Sequence, residues 1–200
     1  AGADIIKFQS FSAESLVSLN APKADYQMIK TNKDESQFEM LKKLELSKDD
    51  YISLKIRCEE KGIEFLSTPF DEKNLQFLID LGIRRIKIPS GEITNGPLIL
   101  SAARSGLPLI ISTGMSDIEE INLALAVVAF GITESLKSNP SKEKLNRIVK
   151  SKEFKTIIKD HVTLLHCTTE YPAPYSSVNL KAINSLREYF GTKVGYSDHT

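Results

Sequence analysis

The hexapeptide Lys87-Ile88-Pro89-Ser90-Gly91-Glu92 carries the residue types that anion binding and proton handling need. A lysine at the end of the β-run Arg85-Ile86-Lys87-Ile88 supplies a point charge for phosphate. A serine hydroxyl and loop amides can hold the phosphate oxygens. Glu92 adds a carboxylate for proton transfer or for a sugar hydroxyl, with helix capping as its ordinary alternative. Pro89 and Gly91 are poor strand interiors and end the run. Alone, the motif reads equally well as a strand-ending turn with a solvated lysine. Its weight comes from five other β-runs that end in the same manner.

Those ends are Lys7 and Gln9, Thr68, Ser112, Thr169, and Ser197 with His199. Lys7 and Lys87 with Thr68, Ser90, Ser112 and Ser197 make a cradle for phosphate and carboxylate. Taken singly, a strand-end lysine is ordinarily solvated, and a serine or threonine there ordinarily caps the next helix. His199 is the titratable group of most interest, because neutral imidazole is the commonest metal ligand and Asp198 beside it is placed to hold the ring. One histidine is not a metal site, and no further ligand spacing is visible. His166, at an apolar strand end, reads as a hydrogen-bonded core residue, and His161 precedes its strand and belongs at the opposite rim. Tyr171 can pack over a sugar ring or stack on Pro172.

The elements that position these groups alternate. Strands are expected at Asp4–Gln9, Glu64–Ser67, Arg85–Ile88, Leu107–Ser112, Val162–His166 and Lys193–Tyr196. Helices are expected at Glu35–Leu44, Lys48–Lys61 behind a Ser47 cap, and from Asp71 to Leu81. Others are expected at Asn95–Ser105, from Asp117 through Ile118 to about Phe130, and at Leu180–Phe190. Gly62, Gly82, Gly106 and Gly191 mark stops. The stretch Ser10–Ser36, with Asn20-Ala21-Pro22 and Asp25-Tyr26-Gln27, is long for a connection and reads as functional or partly disordered. Lysine-rich Lys137–Asp160 reads as an insertion with one or two surface helices and a solvated face.

Short, near-continuous apolar β-runs imply strands covered on both faces, hence a parallel α/β sheet. No GxGxxG follows the first strand, so an open dinucleotide fold lacks its usual signal. Strand ends that repeatedly finish in polar groups suit a (β/α)8 TIM barrel, whose C-terminal face is the active-site mouth. Six of eight β/α units are expected, with the barrel incomplete at both ends. Ala1-Gly2-Ala3 runs straight into a strand and the chain stops at Ser197-Asp198-His199-Thr200, as in a fragment.

Bulk properties exclude several classes. The chain has 26 basic and 26 acidic residues, so no global field recruits nucleic acid or an anionic membrane. No apolar run approaches the roughly 18 to 20 residues of a membrane span. Cys58 and Cys167 match no metal or CxxC spacing, and reduced thiols in a cytoplasmic protein are the default reading.

Six ordered motifs resemble the sialic acid (nonulosonate) synthase family. They are Ile6-Lys7-Phe8-Gln9, Phe65 to Phe70, Lys87 to Glu92, Ser112-Thr113-Gly114-Met115, Leu165 to Pro172, and Gly195 to Thr200. The resemblance spans the chain. It implies a barrel that condenses phosphoenolpyruvate with an N-acetylated hexose, N-acetylmannosamine or 2,4-diacetamido-2,4,6-trideoxymannose, and releases phosphate. It further implies a divalent metal, manganese with magnesium as the alternative, to polarise the sugar carbonyl. By motif, Lys7, Gln9, Thr68, Lys87, Ser90, Ser112, Thr169 and Ser197 bind substrate, and Tyr171 contacts the sugar. Glu92, Lys87 and His199 are catalytic by the same token, with His199 on the metal. Some family members carry asparagine in place of Thr169.

By the same resemblance the chain lacks the first strand with its glutamate, the last strand, a second metal histidine and a C-terminal antifreeze-like domain. It is then inactive alone, and the full-length protein is a domain-swapped homodimer. The Ala21–Tyr26 stretch and Thr169-Glu170-Tyr171-Pro172 resemble neuraminate and legionaminate synthases more than pseudaminate ones. Two alternatives stand beside this: another phosphoenolpyruvate–aldose synthase, and a non-catalytic barrel that binds sugar phosphate. The Ser-Asp-His-Thr ending argues against the first, and intact Lys7, Lys87, Glu92 and His199 against the second.

Overall fold

The computed structural model describes residues 2–24, 27–28 and 35–200. The chain divides into two units, residues 1–83 and 84–200. Both are α/β with parallel sheets, as the alternation of β-runs and amphipathic segments requires.

In the first unit, β1 (Ile5–Ser10) pairs in parallel with β2 (Glu64–Pro69), from Ile5 opposite Glu64 to Ser10 opposite Pro69. The second strand thus runs two residues past the expected Ser67. Proline is tolerated there because it occupies the last ladder position. Between the strands lie α1 (Ala13–Leu16), α2 (Gln37–Lys42) and α3 (Lys48–Glu60), and α4 (Glu72–Asp80) follows β2. Helix α1 falls inside the stretch read as a loop. Asp25 and Tyr26 of that stretch lie outside the described residues.

Capping sets the other boundaries. Ser36 with Glu39, and Ser47 with Asp50, each form a capping box, in which hydroxyl and carboxylate satisfy two otherwise orphaned amides. Ser36 is itself extended, so α2 starts at Gln37 rather than Glu35. Asp71 accepts from the Asn74 amide and caps α4 as expected. The unit's core joins Phe65 and Leu66 of β2 to Leu75 and Leu78 of α4 and Tyr51 of α3. Every β2 residue after Glu64 is buried, but Ile6, Lys7 and Gln9 of β1 are exposed. Cover on both faces therefore holds for β2 and fails for β1, since the helices of this unit pack mainly on β2.

The second unit carries a four-stranded parallel sheet in chain order: β3 (Ile86–Ile88), β4 (Leu109–Ser112), β5 (Val162–His166) and β6 (Lys193–Tyr196). Arg85 and residues 107–108 stay outside the ladder, so β3 and β4 are shorter than expected. A 3-10 turn, Ser90–Glu92, follows β3 where an irregular loop was expected. The helices are α5 (Gly96–Arg104), α6 (Ile118–Thr133), α7 (Lys142–Val149), α8 (Phe154–His161) and α9 (Lys181–Phe190). Gly191 ends α9 at φ +67°, a left-handed geometry that suits glycine.

The lysine-rich stretch forms α7 and α8. Their charged faces are solvated while Ile148, Phe154 and Ile158 are buried, and α8 leads directly into β5. It is therefore part of the strand-to-strand crossover as well as a solvated surface.

Helices α5 and α6 approach closely at Gly131. A Cβ built there would lie 2.7 Å from Ala103 Cβ and 3.3 Å from the Leu100 carbonyl oxygen. Neither atom can swing away by changing rotamer. Overpacking of this kind costs about 1–3 kcal/mol, more than the roughly 1 kcal/mol that alanine gains over glycine inside a helix. Gly131→Ala is therefore expected to lower stability by about 1 kcal/mol, read as a lower urea midpoint. A raised midpoint would contradict this packing.

Candidate active site

Because β3 to β6 are parallel and adjacent, their C-terminal ends lie along one edge of one sheet. Lys87 sits at that edge with 6% of its surface exposed. Its ammonium donates to Ser112 Oγ at 2.7 Å and to the Ile88 carbonyl at 2.8 Å. The lysine read as possibly solvated is thus buried, and two of the expected cradle residues, one on β3 and one on β4, are bonded to each other. A buried ammonium is costly without partners. The Ser112 hydroxyl and the Ile88 carbonyl help to fix its position at a strand end, and a cation held there favours anions.

Ser90 opens the 3-10 turn. Its Oγ accepts the Gly114 amide at 2.9 Å and lies 3.3 Å from Cys167 Sγ. Glu92, half-buried, accepts from the Asn95 side chain at 2.7 Å, and Asn95 itself caps α5 through the Leu98 amide. The capping role allowed for Glu92 therefore belongs to Asn95, which also orients the carboxylate.

After β6, His199 Nε2 lies 2.9 Å from Tyr171 Oη and 3.1 Å from Ser197 Oγ. The Tyr171 and His199 rings stack at 4.1 Å and 24°. Tyr171 therefore pairs with the histidine, where stacking on Pro172 was the alternative. Asp198 does not hold the imidazole. Its Oδ1 accepts from the Thr200 amide and hydroxyl at 3.0 and 2.9 Å, bonds that hold the carboxyl below its ordinary pKa. His166 is hydrogen-bonded as expected, its Nε2 2.7 Å from the Val178 carbonyl, but it is half-buried rather than core. Thr169 is exposed.

In the first unit, Thr68 is 2% exposed and its Oγ1 has no hydrogen-bond partner. A buried orphan hydroxyl is unusual and points to a missing ligand or a strained position. Beside it, Ser10 Oγ and Ser67 Oγ lie 2.7 Å apart and buried. Lys7 and Gln9 are exposed on β1, and desolvation by its surroundings lowers the Lys7 ammonium from its ordinary pKa.

Sequence reasoning passed over Thr168, whose Oγ1 is also buried and unpartnered, and Thr113, whose Oγ1 donates to the Leu165 carbonyl at 3.1 Å. The available signal was a hydroxyl immediately beyond an apolar β-run. Cys167 and Gly114, next to Ser90, were also missed as parts of the site.

The sequence matches the NeuB family over residues 1–200. The chain belongs to the NeuB family. Among NeuB-related proteins it is 45% identical over 199 residues to the N,N'-diacetyllegionaminic acid synthase of Legionella pneumophila, covering 100% of this chain and 50% of that protein. The synthase of the same name from Campylobacter jejuni is 44% identical, covering 100% and 52%. The crystal structure of N-acetylneuraminic acid synthetase from Leptospira borgpetersenii, in complex with citrate, superposes with a TM-score of 0.71 at 31% identity, over 99% of this chain and 55% of that one. The chain thus spans about half the length of the curated relatives it matches.

Among the described residues the donors do not assemble a metal site. Among the described residues no three His, Cys, Asp or Glu side chains cluster, and Asp198 is turned to Thr200. His199 alone, with Nδ1 buried and unpartnered and Nε2 taken by hydroxyls, would not hold a divalent ion.

Two substitutions separate these hydroxyls by stability. Ser112→Ala removes an acceptor from a buried ammonium and is expected to cost about 1.5–3 kcal/mol. Thr68→Val replaces an orphan hydroxyl by an isosteric methyl and is expected to stabilise by about 1 kcal/mol. Urea unfolding checks both; a Thr68→Val variant less stable than the parent would mean that its hydroxyl has a partner.

Proposed function

We propose that the whole protein carrying this chain condenses phosphoenolpyruvate with an N-acetylated hexose and releases inorganic phosphate, giving a nine-carbon sugar acid. The carrying observation is Lys87, an ammonium buried at a strand end against Ser112 in a NeuB-family chain. In this reading the two units belong to a (β/α)8 barrel of which residues 1–200 form part, in a homodimeric cytoplasmic enzyme.

The roles follow from residue chemistry. Lys87 and Lys7 neutralise the phosphate and carboxylate of phosphoenolpyruvate, and Thr68, Ser90, Ser112, Thr169 and Ser197 donate to their oxygens. The orphan Thr68 hydroxyl supports this, because a bound anion would supply its missing acceptor. C3 of phosphoenolpyruvate attacks the sugar aldehyde and forms the new C–C bond. Water then adds to C2, and the tetrahedral intermediate breaks its C–O bond to expel phosphate. Glu92, oriented by Asn95, stands near the reacting carbons to move a proton. Gln9 binds substrate, and Tyr171 contacts the sugar.

Manganese would need donors beyond His199. The shared name of the Legionella and Campylobacter relatives supports 2,4-diacetamido-2,4,6-trideoxymannose over N-acetylmannosamine as acceptor.

The test is phosphate release by the whole protein with phosphoenolpyruvate, manganese and each sugar in turn. Release is expected with the diacetamido sugar and is expected to fall about 10²–10³-fold in Lys87→Ala, the scale of losing one preorganised donor. Silence with both sugars, or a Lys87→Ala variant as active as the parent, would overturn the proposal.

A further inference from the structure

We propose that Cys167 is a positioning residue, setting where the Ser90 hydroxyl stands in the anion cradle. The inference rests on the reading of Ser90 as an anion contact. Three segments that follow three consecutive strands meet at one point: the turn after β3 through Ser90, the loop after β4 through Gly114, and the loop after β5 through Cys167. Ser90 Oγ receives the Gly114 amide at 2.9 Å and touches Cys167 Sγ at 3.3 Å. The thiol is 4% exposed, so it has no solvent alternative. Gly114 makes the approach possible. A Cβ there would lie 2.8 Å from Cys167 Sγ, so that the thiol would have to shift, and a tight 3.0 Å from Ser90 Oγ.

The choice of sulfur has a chemical consequence. The amide occupies one lone pair of Ser90 Oγ, and the remaining question is where the hydroxyl proton goes. Thiols are weak donors and weak acceptors. If Ser90 donates to Sγ, a phosphate oxygen outcompetes it at little cost. If the thiol donates to Oγ, the Ser90 proton is already available to a ligand. Either way Cys167 fixes the oxygen and holds its proton weakly or not at all, whereas a carboxylate or amide in its place would hold it firmly. Serine in place of Cys167 would not restore the contact, because a C–O bond is shorter than a C–S bond and sets the oxygen back from Ser90.

The test is a double-mutant cycle in the whole protein, with phosphoenolpyruvate affinity read both by calorimetry and as KM. Cys167→Ala is expected to weaken phosphoenolpyruvate about 3–10-fold and leave the KM for the sugar unchanged, with Cys167→Ser behaving alike. Ser90→Ala is expected to weaken it at least as much, and the double variant no more than Ser90→Ala, because the thiol acts only through that hydroxyl. Additive losses, or equal losses for both substrates, would show a merely structural thiol and overturn the proposal. So would unchanged affinity in Cys167→Ala and Cys167→Ser alongside a weakened Ser90→Ala, and in that case the proposed function stands. A Ser90→Ala variant that binds phosphoenolpyruvate like the parent would remove the anion role of Ser90 and this inference with it.

Discussion

The burial of the Lys87 ammonium is the constraint on which the second unit's chemistry depends. An ammonium withdrawn from water must be given oxygens, and Ser112 Oγ and the Ile88 carbonyl provide them at 2.7 and 2.8 Å. Both are fixed by the sheet: Ile88 is the last residue of β3 and is registered against Ile111, and Ser112 follows on β4. A parallel ladder therefore delivers charge and hydroxyl to one edge, and the position of the cation is as rigid as the strands. The apolar residues of this sheet (Ile86, Ile88, Leu109, Ile111 and Leu164, all almost fully buried) serve that end as much as stability.

Within the two units the polar groups fall into two kinds. Some are committed: Ser90 to the Gly114 amide, Asn95 to Glu92 and the start of α5, Asp198 to Thr200. Others are buried without a partner, namely Thr68 Oγ1, Thr168 Oγ1 and His199 Nδ1. Committed groups hold geometry, while orphans point to a missing ligand or a strained position. The Thr68 orphan fell at a position singled out from its place at a strand end. Thr168 did not, because Thr169 beside it was taken as the hydroxyl after the fifth strand, and in the structure it is Thr169 that is exposed.

Much of the fold was legible, for local reasons. A serine or aspartate ahead of a helical run announced the caps at Ser47, Asp71 and Asp117, and glycines at φ +65° to +83° stand at the helix ends where Gly62, Gly82, Gly106 and Gly191 were read as stops. Contacts between distant residues were not legible. Tyr171 on His199 joins positions 28 apart, and Ser90 with Cys167 joins positions 77 apart. Neither leaves a periodicity or a spacing. The exposure of β1 was missed for a similar reason, since its apolar run looks like that of a covered strand while the helices pack on its neighbour.

The central claim is that the Lys87 charge is the anchor for an anionic substrate. A crystal structure of the whole protein with phosphoenolpyruvate tests it most directly. The account predicts a phosphate or carboxylate oxygen within about 3 Å of Lys87 Nζ, at charge-assisted hydrogen-bond distance. Phosphoenolpyruvate ordered elsewhere, with none of its oxygens on Lys87, would contradict it.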